Sequence, residues 1–142
     1  MTTGCLFCDE EGGRRLWRDD RCRVVLTDEP FAGFCRVIWN AHAREMTDLS
    51  AANRTHLIQI VYAVESALRA RLTPTKMNLA SLGNATPHLH WHVIPRFADD
   101  THFPQSVWGR PQRNAPPHPL PDDFVASLAG DLAAMLGASL AD

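Results

Sequence analysis

His88-Leu89-His90-Trp91-His92-Val93-Ile94-Pro95-Arg96 is the stretch that decides how this chain folds. Three of its seven histidines occupy alternate positions, and the residues between them are apolar. Side chains of a β-strand alternate between its two faces, so residues i, i+2 and i+4 share a side. The spacing predicts a strand on which His88, His90 and His92 form a row of imidazoles about 6.6 Å apart. Leu89, Trp91 and Val93 would point the other way, into a core.

Immediately upstream, Gly83 to Pro87 is turn-forming, and Lys76 to Leu82 reads as the preceding strand. Before it, Ser50 can cap a long helix whose apolar stripe is Leu57, Ile60, Val61, Val64, Leu68 and Leu72, with Pro74 as its stop. Leu16-Trp17-Arg18 and Arg21 to Leu26 predict two short strands, the first ending at Asp19-Asp20. A turn-rich connection, Asp28 to Gly33, leads into a third strand, Phe34 to Trp39. There Phe34, Arg36 and Ile38 face one side, and Cys35, Val37 and Trp39 the other. The histidine strand, Leu89 to Ile94, is fifth. Downstream, prolines 104, 111, 116, 117, 119 and 121 punctuate an irregular surface segment. A last helix follows, capped by Asp122, with Phe124, Leu128, Leu132 and Met135 on one side. This order predicts an α+β fold with helices segregated to one face of the sheet.

With 142 residues, 45% apolar and 21% charged, the chain suits one soluble domain with its own core. A net charge of −2 excludes broad electrostatic attraction to nucleic acid or anionic membrane, so any anionic substrate needs a local site. No run approaches the ~20 apolar residues that span a bilayer. Met1-Thr2-Thr3-Gly4-Cys5 lacks the basic and hydrophobic regions of a signal peptide. A cytoplasmic location is expected, where the four cysteines would be thiols or metal ligands rather than disulfides.

A histidine row admits three chemistries. It can be a half-exposed polar face with no function. It can present imidazoles to zinc or iron, although no carboxylate lies within the motif and the nearest, Asp99 and Asp100, follow later. It can also attack phosphorus: a neutral imidazole has a free ring nitrogen, and flanking imidazoles and turn amides can stabilise phosphoryl oxygens and help a leaving group depart. The turn Leu82-Gly83-Asn84-Ala85-Thr86-Pro87 brings such donors to the same side.

His-x-His-x-His followed by apolar residues resembles the signature of the histidine triad (HIT) superfamily of nucleotide hydrolases and transferases. The resemblance covers roughly residues 5 to 110, from Cys5-x-x-Cys8 through Asp28 and Val37-Ile38-Trp39-Asn40-Ala41-His42 to Trp108-Gly109. The part from Asn78 to Gly109 is most like bacterial diadenosine polyphosphate hydrolase-like members. It implies a HIT-like fold, an antiparallel sheet of about five strands with one long helix and a C-terminal helix. It divides the chain into a HIT domain at 1–110 and, at 111–142, a Pro-rich segment and helix packed on that domain. It also implies cleavage of a phosphoanhydride or phosphoramidate bond at the α-phosphate of a nucleoside. Substrates would be diadenosine polyphosphates or nucleoside phosphoramidates, the intermediate a nucleotidyl-histidine, and the assembly a homodimer without an organic cofactor. His90 is similar to the family's nucleophile, His92 to the histidine on the phosphate and scissile oxygen, and His88 to the supporting one. Asp28 falls where the family holds the ribose hydroxyls, and Asn84 near a phosphate-contacting glutamine. Ser81 and Asn78 compete for the polar position on the preceding strand; three apart, they face opposite sides. Ala85 departs from a Ser or Thr common in relatives.

On their own residues, Asp28 also reads as a turn cap and Asn84 as a left-handed turn residue. Cys5-x-x-Cys8 is half of a zinc site or a reduced thiol pair. The resemblance implies His42 and His88 as the other ligands of a structural zinc. Cys22 and Cys35 read as small core residues. Trp108 can cover the nucleotide site, from its own or a partner subunit, or its own core. His56 and Arg96 read as solvated, and His102 and His118 carry no assignment. Two other classes remain: a non-catalytic nucleotide-binding module, and a metal-dependent enzyme built on the same histidines.

Overall fold

The structure is a computed structural model that describes residues 4–141. Five strands form one antiparallel sheet: β1 (Arg14–Arg18), β2 (Cys22–Leu26), β3 (Cys35–Trp39), β4 (Lys76–Ala80) and β5 (His90–Arg96), in the spatial order β1-β2-β3-β5-β4. This is the α+β architecture expected. The helices are α1 (Leu6–Asp9), α2 (Ala51–Leu72) and α3 (Phe124–Leu136), with one 3₁₀ turn at Met46–Asp48.

Alternation sorts the strand residues. Cys22, Val24, Cys35, Val37, Trp39 and Val93 enter the main core against α2 and α3. The predicted stripe of α2 is buried throughout, from Leu57 to Leu72. Ser50 Oγ accepts from the Asn53 N–H at 3.2 Å and starts the helix. It ends at Thr73, which takes a left-handed φ of 42° ahead of Pro74, since a residue before proline avoids the helical region. On β1 a bulge between Arg15 and Trp17 lets the consecutive Leu16 and Trp17 both enter the core. Helix α3 packs on α2 and β1, where Arg71 and Asp131 form a two-pronged ion pair and Trp17 Nε1 donates to Gly137 O at 2.9 Å. Asp123, not Asp122, occupies the N-cap of α3, and Met135, expected inside, is about half exposed. Among the described residues no helix is long and apolar enough to cross a membrane.

The opposite sheet face carries Arg23, Val25, Arg36, Ile38, His90 and His92, which the register brings side by side. Arg23 pairs with Ile38 and Ile38 with His90; Val25 pairs with Arg36 and Arg36 with His92. This face is roofed by the N-terminal segment rather than by a long helix. Phe7 packs with Val25 and Ile38 in a second small core. The buried Arg23 guanidinium fastens the segment by donating to the carbonyls of Phe7, Glu10 and Glu11 at 2.8–3.1 Å. Gly12 lies on the same path with a φ of 92°, where a Cβ would come within 2.6 Å of Ile38.

Candidate active site

The histidine row is shorter on the sheet than its spacing implies. His90 and His92 lie on β5, but His88 precedes it, because its N–H is spent on Thr86 O at 2.8 Å in a tight turn after Pro87. The ladder resumes irregularly through Leu89, whose N–H reaches Ala43 O and whose carbonyl accepts from Trp39 N.

His90 is buried, and its Nδ1 stands 2.6 Å from the His88 carbonyl. A carbonyl can only accept, so Nδ1 carries the proton and Nε2 of the neutral ring keeps its lone pair. Burial, and then the Arg36 charge, hold His90 below the ordinary imidazole value against the pull of that hydrogen bond. His92 packs edge-on against His90 at 4.9 Å, Phe34 at 5.5 Å and Trp108 at 4.9 Å. Its burial, then His90 and Arg36, push it down to about 4. Both rings are therefore neutral at pH 7. They line a cleft of about 290 Å³ with Phe7, Arg36, Trp108 and the turn from Leu82 to Thr86.

His88 looks elsewhere. Its Nε2 is 2.6 Å from the Trp39 carbonyl, so Nε2–H donates there and Nδ1 presents a lone pair. That nitrogen lies 3.3 Å from Cys5 Sγ and 3.5 Å from Cys8 Sγ, while His42 Nδ1 is 3.4 Å from Cys8 Sγ. The four ligand atoms lie within 4.8 Å of one another. Tetrahedral zinc with Zn–S near 2.3 Å and Zn–N near 2.05 Å places sulfur and nitrogen about 3.5 Å apart. The Trp39 carbonyl also supplies the outer hydrogen bond that orients a ligating imidazole. Cys5, Cys8, His42 and His88 can thus hold zinc as a closed, structural site. Cys22 and Cys35 are fully buried, and burial raises both thiols, Cys35 to about 12, as inert core residues require.

The remaining residues divide. Asp28 lines an adjoining cleft of about 540 Å³ with Gly12, Gly13, Leu26, Thr27 and Arg36. Its turn is closed by Thr27 Oγ1, which accepts from the Glu29 N–H at 3.3 Å. Asn84 lines the histidine cleft, and Gly83, with φ 84°, takes the left-handed conformation beside it. The Ser81 hydroxyl instead donates to the His90 carbonyl at 2.7 Å, and Asn78 Oδ1 accepts from Arg96; neither lines the cleft. Trp108 is half exposed over His92 in its own chain. Arg96, read as solvated, is only 2% exposed: Asp100 grips it with both oxygens and the Gln105 carbonyl accepts a further bond. His56 is tied to Asp19 at 2.6 Å. Sequence reasoning passed over Arg36, whose only signal was an arginine on the Phe34 and Ile38 face.

A sequence profile of the HIT domain matches residues 10–99. The chain belongs to the HIT domain family. Solved HIT structures share its fold. A histidine triad protein from Bradyrhizobium japonicum is 25% identical with a TM-score of 0.68, over 87% of this chain and 90% of its own. One from Sinorhizobium meliloti is 22% identical with a TM-score of 0.70, over 96% and 100%. A Zn-bound histidine triad family protein from Mycobacterium smegmatis is 23% identical with a TM-score of 0.66, over 93% and 95%. No curated protein matches. As a HIT protein the chain falls among nucleotide-binding and nucleotide-hydrolysing domains.

Proposed function

We propose that this HIT protein is a nucleotide hydrolase or transferase that breaks a phosphoanhydride or phosphoramidate bond at the α-phosphate of a nucleoside. Diadenosine polyphosphates or nucleoside phosphoramidates are its substrates in this reading. The observation that carries it is the His90 Nδ1–His88 carbonyl bond of 2.6 Å, which leaves Nε2 as the nucleophilic nitrogen of a neutral ring. The Nε2 lone pair attacks the α-phosphorus, a phosphorus–nitrogen bond forms, and the bond from phosphorus to the leaving oxygen or nitrogen breaks. His92, neutral beside it, donates a hydrogen bond to the departing atom and keeps its proton; a leaving nitrogen is protonated by water, and a leaving phosphate departs as the anion. Water then attacks the nucleotidyl-His90, the phosphorus–nitrogen bond breaks, and a nucleoside monophosphate leaves with the ring restored to neutral. Asp28 receives the ribose hydroxyls, and Asn84 and the turn amides receive phosphate oxygens.

Cys5, Cys8, His42 and His88 hold a structural zinc in this reading, supported by their spacing and by the Zn-bound relative. A zinc there would supply rigidity. His88 then acts through its backbone, as the acceptor that sets the His90 tautomer. The exposed edge strand β4, with Leu79 and the neighbouring Leu82 uncovered, supports a homodimer, and the two buried, reduced core cysteines Cys22 and Cys35 suit the cytoplasm.

Intact-protein mass spectrometry after brief mixing with an adenosine polyphosphate or phosphoramidate tests the mechanism. A nucleoside-monophosphate adduct is expected on the wild type and on slow-hydrolysing variants, and none on His90→Ala, which also loses turnover. Unchanged turnover in a folded His90→Ala protein overturns it. Binding without turnover in the wild type would favour a binding module.

A further inference from the structure

Alternation on β3 sends Cys35, Val37 and Trp39 into the core and turns Arg36 to the opposite face, where the register sets it directly across from His92. Arg36 NH1 donates to Gly12 O at 2.8 Å, and the guanidinium carbon sits 5.6 Å above the Phe7 ring. These two contacts hold the group in place but leave most of its five donors unused. NH2 is 3.8 Å from Glu29 Oε1, too long for a hydrogen bond, and Nε is buried with no partner among the described residues. A buried, unpartnered charged donor is costly unless a ligand completes it.

Its position says which ligand. Arg36 lines both the histidine cleft and the adjoining cleft that contains Asp28, and Leu6 and Phe7 are the other residues common to both. Among the described residues that line the histidine cleft, its side chain is the one charged at every working pH. A nucleotide with its ribose on Asp28 and its phosphorus at His90 has to pass the guanidinium at the 5′-phosphate. A planar fork of donors matches the non-bridging oxygens of a phosphate.

Resting on the nucleotidyl-transfer reading, we propose that Arg36 is the charged phosphate-binding residue of the site, joining Asn84 and the turn amides by pairing with the α-phosphate attacked by His90 in place of its loose contact with Glu29. The substrate class is then narrowed to 5′-phosphoryl nucleosides whose α-phosphate keeps an anionic oxygen, and neutral phosphate esters are rejected.

Calorimetric titration of the full-length protein with AMP and GMP, and with adenosine and guanosine, tests this on wild type, Arg36→Leu and Arg36→Lys. The wild type is expected to bind a monophosphate more tightly than its nucleoside. Arg36→Leu should weaken the monophosphate roughly 10- to 100-fold while leaving the nucleoside within about twofold. Arg36→Lys, with the charge but not the fork, should fall between. Thermal melting confirms that each variant is folded, and if Arg36→Leu does not fold, Arg36→Lys and Arg36→Gln decide by the same comparison. Equal losses of monophosphate and nucleoside, or no loss of either, would overturn the assignment and leave the nucleotide site standing. A wild type that binds no monophosphate and no nucleoside overturns the nucleotide reading and, with it, the role of Arg36.

Discussion

Acidification probes the way His92 is held. Burial first, then the neighbouring His90 ring and the Arg36 guanidinium, take this imidazole from its ordinary 6.5 down to about 4. At about 1.4 kcal/mol per pH unit, that gap corresponds to about 3 kcal/mol between the protonation preferences of the folded and unfolded chain. The sign follows from which state takes the proton first. As the pH falls through 6.5 the unfolded chain protonates His92, whereas the folded chain does so only near 4. Between those values the unfolded state holds more protons, so the contribution is fully present above 6.5 and is lost as the pH falls towards 4. His92→Asn removes the titrating group and keeps an amide of similar reach. Urea unfolding of both proteins across this window should give a stability difference that shrinks by up to about 3 kcal/mol as the pH drops. The ring C–H resonance of His92, followed by NMR over the same range, should stay near its neutral position down to about pH 5 in the wild type. In Arg36→Leu it should move earlier, because one of the three causes is gone. A His92 resonance that titrates near 6.5, or a stability difference that does not change with pH, would refute the account of a buried, neutral His92.

Asp100→Asn strips the carboxylate from a fully buried Arg96 guanidinium and should cost about 3–5 kcal/mol in denaturant unfolding; a loss within the range of ordinary surface substitutions would show that the charge is not confined there. Ser81→Ala removes the hydroxyl that donates to the His90 carbonyl and should cost about 1 kcal/mol, with a lower kcat and an unchanged KM. Zinc equimolar with the chain is expected by elemental analysis, and Cys8→Ser or a strong chelator should remove it and lower the melting temperature.

Alternation made most of the architecture readable. The split of the third strand into Cys35, Val37 and Trp39 against Arg36 and Ile38 is the split between core and site face, and the α2 stripe from Leu57 to Leu72 is the buried stripe. Spacing marks only the pair Cys5 and Cys8; the family resemblance adds His42 and His88, and the structure brings the four ligand atoms within 4.8 Å. What escaped were the choices made by partners distant in sequence. Strand periodicity alone does not expose the turn that uses the His88 N–H, so the row is read as continuous until Thr86 O is seen to take that donor. Arg96 reads as surface because the residues that neutralise and bond it, Asp100, Asn78 and Gln105, come from other turns of the chain. Helical periodicity places Met135 inside, but α3 ends one residue later at Leu136 and leaves it uncovered.

One wall of the histidine cleft and of the cleft beside it is made by residues 6 to 14, not by the sheet. It is joined to the rest by the Arg23 bonds, the Arg36–Gly12 bond, the Phe7 contact and the cysteine–histidine cluster. Those are few attachments beside the ladders and helices below, and segments held by few contacts open at a lower free energy than the domain that carries them. Loosening the cysteine–histidine cluster is therefore expected to release this segment from the clefts before the strands bearing His90 and His92 unfold, which hydrogen exchange of residues 6–14 against β5 would read.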